Sequence, residues 1–151
     1  MQISEVMTDD VKTIRPDRTI REAAQLMAQI DAGVLPVGEN DRLAGMITDR
    51  DIAIRAVAEG KSPDTPVRDV MTSEVKYCFE DEDIEGVATN MADIRVRRLA
   101  VLNRDKELVG IISLADIALL DGPENAGQAL CGISEPGGAH SQSGGRRAQA
   151  H

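Results

Sequence analysis

The chain says almost everything twice. Residues 6–37 laid over residues 70–101 agree at 13 of 32 positions, where ordinary residue frequencies would give about two. From Leu43 onward the spacing grows by one, and residues 43–55 match residues 108–120 at 6 of 13 positions. Within that second match, GMITDRD at 45–51 returns as GIISLAD at 110–116. The added residue falls between GENDR (38–42) and LNRDKE (102–107), polar stretches of the kind that form hairpin tips and tolerate a change of length. A copy of about 60 residues cannot easily bury an apolar face alone, so the two copies must share a core or cover one another.

Each copy predicts the same order of elements. After VMT, a short extended segment (VKTI at 11–14, VKYCF at 75–79) leads into a helix with apolar residues at a 3.6 period. These are Ile20, Ala23, Ala24, Met27 and Ile30, then Ile84, Val87, Ala88, Met91 and Ile94. Thr19 and Glu22 form a capping-box pattern at the first helix start, and Gly33 fits its end. Two apolar runs follow in each copy, VLPV with LAGMIT and RLAV with LVGIIS, which read as a buried hairpin. DIAIRAVAEG and DIALLDG then read as closing helices stopped by Gly60 and Gly122. Their apolar residues cover more than one face, which predicts packing on two sides: the helix's own sheet, and either the sister copy or a second chain. The repeated Met7, Met27, Met71 and Met91 are expected in the packing.

The expected fold class is therefore α/β (α+β), two tandem β-α-β-β-α repeats. Residues 1–60 form the first repeat, and 61–69, with Pro63 and Pro66, a linker. Residues 70–122 form the second repeat, 123–133 a short helix begun by Pro123, and 134–151 a polar, glycine-rich tail expected to be disordered.

Composition excludes some functions. A formal charge of −9 argues against a surface that neutralises nucleic acid or anionic lipid. No apolar run reaches the length of a membrane span and MQISEVMTDD lacks the order of an export signal, so the expected location is cytoplasmic. Cys78 and Cys131 are too few and too far apart in sequence for a disulfide framework. They read as free thiols, and no short-spaced Cys/His pair suggests a zinc site. No G-x-S-x-G, P-loop or H-E-x-x-H occurs, and both histidines lie in the tail; an enzyme is not expected.

The doubled hydroxyl and carboxylate carry the chemistry. Thr48 and Ser113 stand where a strand gives way to a helix, and Asp51 and Asp116 stand three residues later. One reading is purely structural: a hydroxyl N-cap and an acid in the first turn satisfy orphan amides. The other reading uses the same geometry for a ribonucleotide. The helix start, with its hydroxyl, suits a phosphate, while the carboxylate accepts from the two hydroxyls of a sugar diol.

With its repeated VMT, amphipathic helix, VLPV and G-h-h-[TS]-x-x-D, the chain resembles a tandem pair of cystathionine-β-synthase (CBS) domains, a Bateman module of stand-alone bacterial type, over about residues 3–120. The resemblance implies a pseudo-twofold unit packed through its sheets and helices, with two clefts between the copies, and a homodimer forming a disc of four repeats. It implies a regulatory module binding adenosine-containing ligands, AMP, ADP, ATP, NAD or S-adenosylmethionine, with no required cofactor, and signalling to an effector protein in trans. Asp51 and Asp116 would hold ribose, and Thr48 and Ser113 would approach phosphate. Thr13, Ile14, Pro36 and Val37 would grip the base in the first cleft; Tyr77, Cys78, Ala100 and Val101 would do so in the second. Ala100 departs from the proline of VLPV, which bears on the shape of the second pocket. Arg50, and Arg95, Arg97 and Arg98, are candidates for phosphate charge, against a reading as solvated surface. Tyr77 is a candidate for stacking on the base, against simple packing. Two rival functions remain: a dimerisation scaffold with empty clefts, and a metal- or redox-responsive protein using Cys78 and Cys131.

Overall fold

The computed structural model describes residues 1–135, so His140, His151 and nearly all of the expected tail lie outside the described residues. The chain divides into two compact units, and their boundaries are not those of the sequence repeats. One comprises Asp10–Lys76 with Arg104–Leu108; the other comprises Met1–Asp9, Tyr77–Asn103 and the described residues from Val109 to Glu135. The head of each repeat is thus built into the unit made by the other.

In the first-repeat unit, α1 (Ile20–Ile30) turns Ile20, Ala23 and Met27 into the core. Thr19 Oγ1 accepts from the Glu22 amide at 3.1 Å. The Glu22 carboxylate does not complete the box; it accepts instead from Thr19 Oγ1 and from Arg18, each at 3.4 Å. The helix ends on Asp31, whose φ of 54° supplies the left-handed residue expected of Gly33. Strands β1 (Val34–Glu39) and β2 (Arg42–Thr48) form an antiparallel hairpin. Its tip is Asn40 and Asp41, both at positive φ, as a two-residue hairpin turn requires. The expected strand at 11–14 shrinks to one parallel bridge, Ile14 to Val37.

Helix α2 spans residues 49–57, an α-helical turn (Asp49–Asp51) running into a wider π-helical stretch (Ile52–Val57). Around it close Leu35, Val37 and Ile47 from the hairpin, with Val67 and Val70 from the head of the second repeat, all 0–1% exposed.

The second-repeat unit has β3 (Tyr77–Phe79), parallel to β4 (Arg98–Leu102), and then β5 (Leu108–Ser113), in sheet order β3-β4-β5. Helix α3 (Ile84–Ile94) buries Ile84, Val87, Ala88 and Met91 and ends on Arg95 at φ 57°. Helix α4 spans residues 114–121, again α-helical then π-helical. Helix α5 (Pro123–Ile133), begun by the expected proline, packs on α3, with Ala126 and Ala129 buried. Ile3 and Val6, from the head of the first repeat, complete this core.

The glycine of the doubled motif serves this exchange. Thr72 bridges Met46, and Thr8 bridges Ile111. A Cβ on Gly45 would meet Met71 Sδ and the Thr72 carbonyl oxygen, both at 2.7 Å. On Gly110 it would meet Met7 Sδ at 2.6 Å and the Thr8 oxygen at 2.8 Å. Only a residue without a side chain lets the partner segment lie this close. Within its own unit each closing helix packs on one side. Ile54 and Val57 on α2 are 51% and 70% exposed, and Leu119 and Leu120 on α4 are 83% and 59% exposed. Each helix buries one face, centred on Ala56 or Ile117, and leaves the other uncovered.

Candidate ligand sites at two helix starts

Both strand-to-helix junctions take the same form. Thr48 Oγ1 accepts from the Asp51 amide, and Asp51 Oδ2 accepts from the Thr48 amide, each at 3.0 Å. Ser113 and Asp116 repeat the pair at 3.1 and 3.0 Å. These are complete capping boxes, so the structural reading of the hydroxyl and acid is realised in both copies. It does not exhaust them. An ionised carboxylate has about four lone-pair positions, and the box uses one. The Asp51 side chain is only 15% exposed, held against the helix rather than extended into solvent.

Every predicted residue of the first site lies in the first-repeat unit. Ile14, Pro36 and Val37 are buried, so what they offer a ligand is backbone, while Thr13 and Arg50 are exposed. The bridge between Ile14 and Val37 brings those two segments side by side.

The second site is drawn likewise from one unit. Tyr77 pairs with Ala100 and Cys78 with Val101 in the β3–β4 register. Tyr77 is 40% exposed, and its ring meets Phe79 edge-on at 5.6 Å and 86°, which leaves ring surface accessible. Cys78, Ala100 and Val101 are buried. Burial, with a smaller contribution from the Glu82 charge, pushes the Cys78 thiol up to about 12. That keeps it protonated and unreactive across the physiological range. Cys131 is exposed on α5. Among the described residues no group of three or more His, Cys, Asp or Glu is placed to hold a metal ion. Nor is any described helix long and apolar enough to cross a membrane.

The two sites differ in residues that sequence reasoning passed over. The Arg55 guanidinium lies 3.8 Å from Asp51 Oδ1 and donates to the carbonyls of Val70 and Met71 at 3.3 and 3.2 Å. Its counterpart is Leu120. Asp49 opens α2, where Leu114 opens α4. The signal was present in the repeat, where Asp49 and Arg50 of GMITDRD become Leu114 and Ala115 of GIISLAD and Arg55 becomes Leu120.

The fold, the exchanged segments and the doubled junction define a tandem α+β module. The chain belongs to the CBS domain family, whose model matches residues 3–57 and again residues 67–121. It is 41% identical over 133 residues to the CBS domain-containing protein YhcV of Bacillus subtilis, covering 87% of this chain and 94% of that one. Among solved structures it is similar to the CBS domain pair of protein MJ0100, in complex with 5′-methylthioadenosine and S-adenosyl-L-methionine. The TM-score is 0.72 at 27% identity, over 82% of this chain and 98% of that one. It is also similar to the CBS domain protein PAE2072 of Pyrobaculum aerophilum complexed with AMP. There the TM-score is 0.69 at 26% identity, over 78% and 90% of the two chains.

Proposed function

We propose that the protein is a non-catalytic regulatory module that binds adenosine-containing ligands at its two helix starts and passes the resulting change to a separate effector protein. The observation that carries this reading is the twofold recurrence of a strand-end hydroxyl and an acid locked in register, in a family of which one solved member holds AMP and another 5′-methylthioadenosine and S-adenosylmethionine. In this reading Asp51 and Asp116 accept from the ribose hydroxyls with their uncommitted lone pairs. Thr48 and Ser113 stand nearest the 5′ substituent, and the backbone beside Ile14 and Val37, or beside Cys78 and Val101, faces the base. Tyr77 adds an aromatic edge to the second site only. A ligand that favours one packing of the repeats shifts the population toward it, which is the change an effector reads.

The module is a homodimer in this reading, joined through the uncovered faces of α2 and α4. Ile54 and Val57 on α2, and Leu119 and Leu120 on α4, are exposed apolar residues that a second copy would remove from water.

Calorimetry with AMP, ATP, NAD and S-adenosylmethionine tests the ligand reading, on wild type and on the double variant Asp51→Asn/Asp116→Asn. Asparagine keeps an acceptor for the cap and loses the charge. A charge-assisted hydrogen bond contributes about 1.5–3 kcal/mol, so the variant should bind at least about tenfold more weakly. A wild type that binds none of the four, or a variant that binds them equally well, refutes it.

A further inference from the structure

We infer that the two sites take chemically different ligands, with Asp49 as the residue that separates them: the site at α4 takes a phosphorylated adenosine compound, and the site at α2 takes an uncharged or cationic one. The inference rests on the nucleotide-binding reading above and goes beyond it by assigning a ligand class to each site.

The two helix starts are superposable in their bonding. The first amide of α2, Asp49 N, donates to the Gly33 carbonyl at 2.9 Å, and the first amide of α4, Leu114 N, donates to the Arg97 carbonyl at 2.8 Å. Gly33 and Arg97 are also counterparts in the sequence repeat, so the comparison is position by position. At α2 the second amide, Arg50 N, is already bonded to Asp49 Oδ1 at 2.8 Å. The other carboxylate oxygen lies over Gly33, where a Cβ would stand 2.8 Å from Asp49 Oδ2. Glycine at 33 is therefore what makes room for this carboxylate. An anion arriving at α2 would find a helix-start amide occupied and a fixed negative charge beside it.

At α4 both obstacles are missing. Leu114 has no acceptor to offer the amide of Ala115, and it brings no charge. The residue that bonds its first amide is an arginine instead of a glycine, and Arg98 follows where the first copy has Val34. Residue 95 is likewise arginine where the first copy has Asp31, although Arg95 is engaged with Glu135 at 3.4 Å. Arg97 and Arg98 are exposed, and guanidinium groups match phosphate oxygens two at a time. Arg50 and Arg55 also stand at α2, the latter 3.8 Å from Asp51, where the second copy has Ala115 and Leu120, so what separates the sites is Asp49 with its covered amide on one side and Arg97 and Arg98 on the other, while the ribose-binding acid and the hydroxyl stay the same. A ligand carrying the same sugar but no phosphate, such as a nucleoside thioether or sulfonium, suits α2, because a sulfonium gains from the Asp49 carboxylate that repels a phosphate.

The test is calorimetric titration with two probes, AMP and 5′-methylthioadenosine, on the full chain. AMP is expected to bind one equivalent, weakened at least about tenfold by Asp116→Asn and little changed by Asp51→Asn. 5′-Methylthioadenosine is expected to be weakened by Asp51→Asn. Asp49→Leu, which installs the residue of the sister site, should add a second AMP equivalent or raise AMP affinity at α2 by about tenfold; Leu114→Asp should weaken AMP at α4 by a similar factor. Asp49→Asn serves where the leucine variant does not fold, since its side-chain oxygen still accepts from Arg50 N without the charge. Two equal AMP equivalents in the wild type, or AMP binding unaltered in both Asp49 variants, overturns this assignment alone. Binding of neither probe to any form overturns the nucleotide reading, and the assignment with it.

Discussion

The first-repeat unit and the second-repeat unit share a plan and differ in how it is finished. Both have a helix ended by a left-handed non-glycine residue, a hairpin, a capping box and a glycine pressed against a methionine from the other repeat. Only the first ties its acid to an arginine, because Arg55 bridges Asp51 and the carbonyls of Val70 and Met71, where the second has Leu120. Only the second has a proper leading strand, β3, and a covering helix, α5, that buries Ala88 of α3. The matching Ala24 on α1 stays exposed. Duplication therefore preserved the elements that hold the backbone at the junction, and divergence fell on the charges around it. That division is expected physically, since packing tolerates little change and exposed charge tolerates much.

The largest expected contrast is in the two thiols. At pH 8 a maleimide should label the exposed Cys131 far faster than Cys78, whose thiol is pushed up to about 12 by burial and which is 3% exposed. Equal labelling of the folded protein would show that β3 is not built into the second core. The same shift has a signed consequence for stability. The folded thiol holds its proton longer than the unfolded one, so its contribution is complete below pH 9 and is lost as pH rises from 9 toward 12. Urea melts of wild type and Cys78→Val should diverge in that window, with the wild type losing more.

Next in size is the glycine contact. Gly110→Ala forces a Cβ to within 2.8 Å of the Thr8 carbonyl, a backbone atom that cannot step aside cheaply. A loss of about 3 kcal/mol is expected, and Gly45→Ala should cost about as much. A large loss from one and none from the other would break the symmetry claimed for the exchanged segments. Gly132→Ala has no equivalent in the first unit. It should cost about 1–3 kcal/mol by pushing α5 off Ala92, whose Cβ and backbone lie 2.6–2.9 Å away.

Arg55→Leu makes the first unit copy the second. It removes two hydrogen bonds to exposed or half-buried carbonyls and one ion pair at 3.8 Å, so about 1 kcal/mol of stability should go, read by chemical denaturation. Leu120→Arg tests the converse and should change stability by less. The smallest effect carries the opposite sign. Gly86 sits inside α3 with nothing within 4 Å of its Cβ position, so Gly86→Ala should stabilise the protein by about 0.5–1 kcal/mol.

Much of this plan was legible in the residues. Periodicity placed α1 and α3, the polar interruption placed both hairpin tips, Pro123 placed the start of α5, and the repeat paired Thr48 with Ser113 and Asp51 with Asp116. These are local properties, dictated by side-chain spacing and turn chemistry within a few residues. The misplaced details were those in which two local solutions compete. Asp31 ends α1 although Gly33 looked better suited, and Arg95 ends α3 at the matching position with no glycine beside it, so the end is set by the shared backbone path and not by the residue type. The strand at 11–14 came down to one bridge, since Ile14 alone reaches Val37.

By itself the sequence determined that the chain is a doubled α+β unit, where its helices and hairpins lie, and that a hydroxyl and an acid cap the last helix of each copy. Tertiary structure alone decided that residues 1–9 complete the second copy and the segment around residues 67–72 completes the first, and that Asp49 covers an amide that Leu114 leaves open. Secondary structure follows from neighbours along the chain, which a repeat displays twice. Which copy a segment joins depends on contacts distant in sequence, such as Thr72 with Met46 and Thr8 with Ile111, and two similar copies offer similar partners, so nothing short of the packed core can choose between them.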